Sequence, residues 1–352
     1  MKKISFFCSY WPTNIGNAFI DLGSIQSVLA AAPSISIHTI SGFPRLLFER
    51  RSRSHVDELL ELFENIRKRS IGKQTSKTLV RINSKIPKLN RILETDNDRL
   101  QNLFDLGKAV KSDFAVFSGM VLYDYFIKQH KSTIMELKKK NVKIILNGVG
   151  GGYFGENEIF RIRKFLKEIS PYAFISRDEK TFESYHDLAE HSHNGIACGF
   201  FIKDYYTPIK LDLPKFVVLN FDTMPEPKLN IINEMVIRTH HWSSYYKGFR
   251  KIPKRYFTKP NTLISDFPDD YLALYSNTST LYSDRVHACV ATLSFGRPCR
   301  LFIGEDDITR AALFEKVGAN TIGSRITYPN IDMIDKEKEK QVRFLSDIFA
   351  HA

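Results

Sequence analysis

The chain has 352 residues, of which 43% are hydrophobic and 12% aromatic, and this composition excludes a disordered or fibrous protein. Because the length exceeds the usual size of one domain, we expect two domains. Lys and Arg number 51 against 39 Asp and Glu, a net charge of +12. This excess favours an anionic partner, such as a phosphorylated small molecule, a lipid headgroup or nucleic acid, without choosing among them.

The four cysteines, Cys8, Cys198, Cys289 and Cys299, form no C-x-x-C pair and lie in apolar sequence, so we predict buried thiols. The apolar run near the start is too short for a signal peptide, and no apolar stretch reaches the roughly 18 residues of a membrane-spanning helix. These features favour a reducing, cytoplasmic location.

The first elements follow a β–α–β order. KISFFCSY is typical of a buried strand, AFIDLGSIQSVLAAA has helical spacing, and SISIHTI alternates like a second strand. This order predicts a parallel sheet that is covered by helices.

Residues 43–110 interrupt that pattern with a basic segment. SHVDELLELFENIRKR predicts an amphipathic helix, and between Arg45 and Glu94 basic residues outnumber acidic ones by thirteen to six. Two interpretations stay open: a solvated helical insertion, or a basic surface for membrane headgroups or an anionic acceptor.

The α/β alternation resumes after the insertion, loosens near GFFIKDYYTPIKLDLPK, and restarts at FVVLNFD. We therefore predict an α/β fold of two Rossmann-type doubly wound domains that face a cleft. The domains are residues 1–207, which include the helical insertion, and 208–333, followed by a C-terminal helix over 334–352. Ligands of such folds bind at the carboxyl ends of the strands, which makes strand-end residues the candidates for a site.

Two basic residues, Arg285 and His287, follow the predicted strand TSTLY and open the helix VHACVATLSF. A helix N-terminus favours an anion, an arginine can grip phosphate or carboxylate with two hydrogen bonds, and a histidine beside that anion can donate a proton near neutral pH. The alternative is a structural pair, with Asp284 capping the helix and Arg285 in a salt bridge. Arg177 occupies the same kind of position after the strand YAFIS, which favours a cleft that holds an anion from both sides.

Five segments resemble the polysaccharide pyruvyl transferase family. SDRVHACVATLSFGRPCRLFIGE is similar to its signature of R-x-H, a small-residue helix and G-x-P, and ISRDEKTF is similar to its strand that ends in an Arg–acidic pair. SDFAVFSGM, VKIILNGVGGGYFG and PTNIGNAFI resemble its strand–glycine and N-terminal turn segments, in the expected order. The resemblance spans roughly residues 10–310, without the insertion and the C-terminal tail.

The resemblance implies a GT-B-like fold and transfer of a pyruvyl group from phosphoenolpyruvate to two hydroxyls of a sugar of a cell-surface polysaccharide or its precursor, forming a cyclic ketal. It implies that Arg177 and Arg285 hold the donor, that His287 is the general acid, and that Val286 contributes its backbone. Phosphoenolpyruvate is then a substrate, and we expect neither a cofactor nor a metal ion.

Further candidates for substrate binding are the polar Asn14 and Asn147, and glycines that let the backbone approach a ligand: Gly16, Gly119 and Gly150. Three features depart from the family pattern, one of which is the loop FSGM, with one glycine where two or three are common. Asn17 stands where the family often has an acidic residue, and Arg310 is the nearest counterpart of a lysine that usually follows G-x-P.

An aromatic stretch, RTHHWSSYYKGF, offers a wall for the acceptor sugar through His240, His241, Trp242, Tyr245 and Tyr246, with ordinary helix packing as its alternative. Two other functions stay open for the whole chain. One is a GT-B glycosyltransferase that uses a nucleotide sugar. The other is a basic adaptor for membrane or nucleic acid, which only charge supports. The expected partners are thus phosphoenolpyruvate and a sugar or lipid-linked glycan, with a peripheral position on an anionic membrane left open.

Overall fold

The computed structural model describes residues 2–9, 11, 14–42, 104–119, 121–241, 259–304 and 310–352. The chain divides into two compact units, one formed by residues 1–42 with 107–352 and the other by residues 43–106. Most of the predicted basic insertion therefore lies outside the described residues.

The first sheet has seven parallel strands: β1 (Lys3–Cys8), β2 (Ser36–Ser41), β3 (Phe114–Ser118), β4 (Val121–Leu122), β5 (Lys143–Gly151), β6 (Ala173–Ser176) and β7 (His191–Asn194). Their order is β2-β1-β3-β5-β6-β7, and β4 pairs with the end of β5. The helices that follow these strands are α1 (Gly16–Ala31), α2 (Leu106–Ala109), α3 (Asp124–Lys139), α4 (Glu156–Ile169), α5 (Glu179–Tyr185) and α6 (Ile202–Tyr205).

The second sheet has five parallel strands: β8 (Phe216–Asn220), β9 (Met235–Thr239), β10 (Thr262–Leu263), β11 (Leu281–Ser283) and β12 (Cys299–Leu301). Their order is β10-β9-β8-β11-β12, so successive strands are added on one side of β8 and then on the other, as in doubly wound sheets. The helices are α7 (Pro268–Asn277), α8 (Val286–Ser294) and α9 (Ile331–His351). The predicted fold class, α/β with two Rossmann-like parallel sheets, is confirmed.

Helix α1 belongs to both cores. Phe19 packs with residues around the second sheet, such as Tyr271, whereas Val28 packs with residues of the first sheet. The C-terminal helix α9 returns to the first sheet, where Leu345 and Phe349 join that core. The two sheets are therefore held together by helices that the chain contributes from both of its ends.

The predicted boundary between residues 207 and 208 falls between the two sheets, and the division into domains stays a prediction. The C-terminal helix begins at Ile331, three residues before the predicted 334. Cys198, Cys289 and Cys299 are buried free thiols, and Cys8 is a partly buried one. No helix among the described residues has the length and apolar character needed to cross a membrane.

Candidate functional site

The carboxyl ends of strands from both sheets open onto one cavity of about 420 Å³. Six of the predicted site residues line it: Asn14, Gly119, Arg177, Arg285, Val286 and His287. Arg177 comes from the first sheet, while Arg285 and His287 come from the second. The arrangement that strand order predicted, with basic groups from both halves around one space, is what the structure contains.

Arg177 follows directly after β6, and its backbone N–H donates to the Val149 carbonyl at 2.9 Å. Its guanidinium lies over Gly150, where an added Cβ would be only 2.3 Å from Nε. Among the described residues no carboxylate lies within 4.0 Å of this guanidinium. Burial lowers its pKa, and the nearby Arg310 lowers it further, although Asp178 acts against this. The fold therefore holds a partly buried cation beside the cavity without a close counter-ion in its described surroundings.

Arg285 is the N-cap residue of α8, and its side chain does have an ionic partner. Its Nε lies 3.5 Å from Asp222 Oδ2, and its own backbone N–H donates to Ser283 Oγ at 2.8 Å. The same Asp222 accepts from His240 Nδ1 at 3.0 Å and from the His241 N–H at 3.1 Å. One buried carboxylate thus orients the arginine and the segment that follows β9.

Of the structural alternative for this pair, the salt bridge of Arg285 is present but the capping role of Asp284 is wrong. Its buried carboxylate accepts instead from the backbone N–H groups of Asp222, Thr223 and Met224, at 3.1, 2.7 and 2.7 Å. These bonds fix the loop after β8. The first turn of α8 therefore has no side-chain cap, and a helix N-terminus offers N–H groups that lack intrahelical partners.

His287 stands in the first turn of α8, and its Nε2 is buried without a hydrogen-bond partner among the described residues. Burial lowers its pKa well below the usual value, and the guanidinium groups of Arg177, Arg285 and Arg310 add to this effect. We therefore expect a neutral ring in the free protein, which agrees with the prediction that His287 donates a proton only beside a bound anion. An anionic ligand is needed before this histidine can hold a proton near neutral pH.

Two further residues complete the cavity wall. Arg310 lines it and donates from Nη2 to the Asp284 carbonyl at 3.3 Å, so the departure noted in the sequence places a third arginine at the site. His241, which is 2% exposed, also lines it. Its Nε2 contacts Tyr275 Oη at 2.7 Å, and its Nδ1 has no partner in the described part of the chain.

A model of the family "Polysaccharide pyruvyl transferase" matches residues 45–306, about three quarters of the chain. The chain belongs to this family. The match begins at Arg45, so it includes the basic segment that we expected to lie outside the resemblance. It ends before Arg310 and leaves out the segment around Asn14. No curated protein matches the chain.

Solved structures of similar shape include the UDP complex of MnaA from S. aureus, with 12% identity and a TM-score of 0.48 over 99% of this chain and 91% of that one. A UDP-N-acetylglucosamine 2-epimerase from Rickettsia bellii has 13% identity and a TM-score of 0.48 over 99% and 98% of the two chains. At these values the likeness supports neither a shared ligand nor a shared activity.

For this pyruvyl transferase family member, three predicted site residues lie elsewhere than expected. Asn147 is fully buried, and its amide donates to Ser24 Oγ at 2.7 Å and Ser27 Oγ at 3.1 Å and accepts from Gln341. It therefore holds the core together and is no donor into the cleft.

Gly16 and Gly150 support the site from behind its surface. A Cβ on Gly16 would lie 3.0 Å from the His287 Cβ, and one on Gly150 would collide with Arg177, so these glycines let functional side chains approach. Gly119, with φ +55, does line the cavity, and its missing side chain leaves room for Ile20.

The predicted acceptor wall divides in two. His241 reaches the cavity, whereas His240 is bound to Asp222, and both follow the end of β9 rather than sit in a helix. Trp242, Tyr245 and Tyr246 lie outside the described residues.

Proposed function

We propose that the chain transfers a pyruvyl group from phosphoenolpyruvate to two hydroxyls of a sugar in a cell-surface polysaccharide or its precursor, forming a cyclic ketal and releasing phosphate. The family is one of transferases, which supports the class of reaction. The observation that carries the choice of donor is the convergence of Arg177, Arg285 and Arg310 around His287 in a single cavity.

Phosphoenolpyruvate suits this site by charge. Its phosphate and carboxylate together carry about three negative charges near neutral pH. Three guanidinium groups and the uncapped N-terminus of α8 can balance them, since arginine binds both groups with paired hydrogen bonds. Arginines held in place before binding also stabilise the phosphate as it leaves.

His287 is suited to supply the proton that starts the reaction. The methylene carbon of phosphoenolpyruvate must gain one proton to become the methyl group of the ketal. Once the anionic donor neutralises the three arginines, the pKa of His287 rises and the ring can carry that proton. Protonation leaves a cationic centre at the neighbouring carbon, which a sugar hydroxyl attacks.

The remaining protons come from the acceptor. Two hydroxyls lose one proton each as two C–O bonds form and the C–O bond to phosphate breaks, so one proton replaces that used on the methylene and one leaves on phosphate. We assign to His241 the role of receiving a hydroxyl proton, because its Nδ1 has no partner in the described residues and burial favours the neutral ring. Burial lowers the pKa of His241, and Arg285 and His287 lower it further.

We further propose that the chain works in the cytoplasm, where its net charge of +12 permits peripheral contact with an anionic membrane that carries the acceptor. The basic segment between Arg45 and Glu94 is the candidate for that contact.

Ligand-dependent thermal stability tests the donor. Phosphoenolpyruvate at about 100 times its Kd should stabilise the protein by about 2.7 kcal/mol, a shift of several degrees in Tm. Arg285→Ala should abolish the shift, whereas Arg325→Ala, which removes an exposed arginine of the same half, should keep it. A shift only with nucleotide sugars would assign the chain to the glycosyltransferases instead, and no shift with any donor would refute the proposal.

A further inference from the structure

The glycine-rich loop between β5 and α4 carries a tyrosine whose side chain is exposed and does not pack in the core. Tyr153 lines the cavity and yet is 89% exposed. Tyr123 and Phe154 also line the cavity, so it holds aromatic residues of the first half as well as the basic groups. An exposed aromatic ring contributes little to folding, because it buries little apolar surface, and its face is available to contact a ligand.

The backbone of this loop is fixed although the Tyr153 side chain is exposed. Glu158 Oε2 accepts from the N–H groups of Tyr153 and Phe154, at 2.7 and 2.9 Å. Phe154 has φ +58, a left-handed conformation that is rare for a bulky residue and persists only where its surroundings impose it.

The ring of Phe154 supplies that constraint. It occupies the space in which a Gly151 Cβ would lie, only 2.1 Å from its Cζ, and Lys180 Nζ sits 4.4 Å from its centroid. The loop is therefore anchored through Phe154 and Glu158, and what it presents outward at the cavity is the ring of Tyr153.

A pyranose ring fits such a surface. Its C–H faces are attracted by the negative face of an aromatic ring, while its hydroxyls remain free to point elsewhere. The donor's charges require the arginines, so the aromatic part of the cavity is left for the acceptor. High exposure of Tyr153 also allows the rest of a glycan to continue into solvent.

We propose that Tyr153 is the platform on which the acceptor pyranose stacks, holding its hydroxyl pair toward the donor. The proposal rests on the pyruvyl transfer proposed above. It makes Tyr153 a determinant of acceptor binding without a part in donor binding.

Saturation-transfer NMR tests the platform directly, with methyl glycosides of glucose, galactose and mannose as probes and inorganic phosphate present to fill the anion site. Wild type should transfer saturation to the ring C–H protons of at least one glycoside. Tyr153→Ala should lose this transfer and raise the acceptor KM about tenfold at an unchanged KM for phosphoenolpyruvate. Tyr153→Phe should keep both.

The matched control is Phe160→Ala on α4, since Phe160 is also an exposed aromatic (69%) but does not line the cavity. It should behave as wild type. The proposal is overturned if no glycoside receives saturation from wild type, if Tyr153→Ala transfers as well as wild type, or if Phe160→Ala loses transfer equally. If phosphoenolpyruvate did not raise the Tm of wild type, that result would instead count against the proposed function.

Discussion

Replacing Arg177 by methionine should weaken donor binding without weakening the fold. In the described surroundings the Arg177 guanidinium has no carboxylate within 4.0 Å, and Arg310 places a second positive charge nearby. The guanidinium lies over Gly150, and methionine offers an unbranched, adaptable side chain that can fill part of that space without a charge. When a residue serves binding at a cost to folding, its replacement weakens ligand binding and leaves the free energy of unfolding equal or higher.

The magnitudes follow from the groups involved. Loss of charge-assisted hydrogen bonds to phosphate or carboxylate costs about 1.5–3 kcal/mol, so the Kd for phosphoenolpyruvate should rise roughly 10- to 150-fold. Removing a partly buried charge that lacks a close counter-ion should leave the free energy of unfolding unchanged or raise it by about 1 kcal/mol. The Tm should therefore stay constant or rise by about 2 °C.

Isothermal titration with phosphoenolpyruvate and urea unfolding measure the two quantities on the same samples. The control is Arg163→Met, because Arg163 on α4 forms a two-point ion pair with Asp187 at 2.9 and 2.5 Å. It should lose a few tenths of a kcal/mol of stability and keep its donor affinity. If Arg177→Met lost more than about 1 kcal/mol of stability while its Kd stayed unchanged, Arg177 would be a structural residue and the reasoning would fail.

Three further predictions concern histidines. The pKa of His287 is low in the free protein, so donor binding at pH 7.5 should be coupled to uptake of a proton by His287, and donor affinity should fall as pH rises. Calorimetric titration in two buffers of different ionisation enthalpy should detect this proton uptake in wild type and not in His287→Asn. Equal binding enthalpies in both buffers for wild type would contradict the prediction. His241→Gln should lower kcat by about 10²-fold or more at a nearly constant donor Kd, measured as phosphate release, and an unchanged kcat would exclude His241 as the base. Burial lowers the pKa of His130 to about 3, so as pH falls the unfolded state takes up this proton before the folded state does, and the free energy of unfolding decreases below about pH 6.5. His130→Leu should remove about 2 kcal/mol of the decrease that wild type shows between pH 7 and pH 5. If urea unfolding gave the same decrease for the variant and for wild type, His130 would not titrate in this way.

The sequence predicted which basic residues line the cavity, because their positions depend on local order along the chain. Arg177 and Arg285 each follow a short buried strand and precede a helix, and the carboxyl ends of parallel strands meet at one edge of a sheet. The R-x-H spacing placed His287 on the first turn of the same helix. None of these positions needed knowledge of distant contacts.

Asn147 was mispredicted, and the low pKa of His287 in the free protein could not be predicted, because both depend on residues far away in the chain. The glycines after Asn147 suggested that it ends a strand, but β5 continues to Gly151, and the partners of Asn147 come from α1 and from Gln341 in the C-terminal helix. The pKa of His287 is set by burial and by arginines at 177 and 310, and no spacing rule brings those together around it.

Some of the residues that line the cavity lie within the range matched by the family model, and others lie outside it. The matched range, 45–306, contains Arg177, Arg285 and His287, which face the proposed donor. Asn14 and Asn17 at the start of α1, and Arg310, line the same cavity from outside that range. Membership of the family therefore supports the chemistry of pyruvyl transfer without describing this part of the wall. Because Arg310 is assigned to the donor, the identity of the acceptor sugar is best sought in variants of Asn14, Asn17 and Tyr153, with the donor affinity of each variant measured alongside.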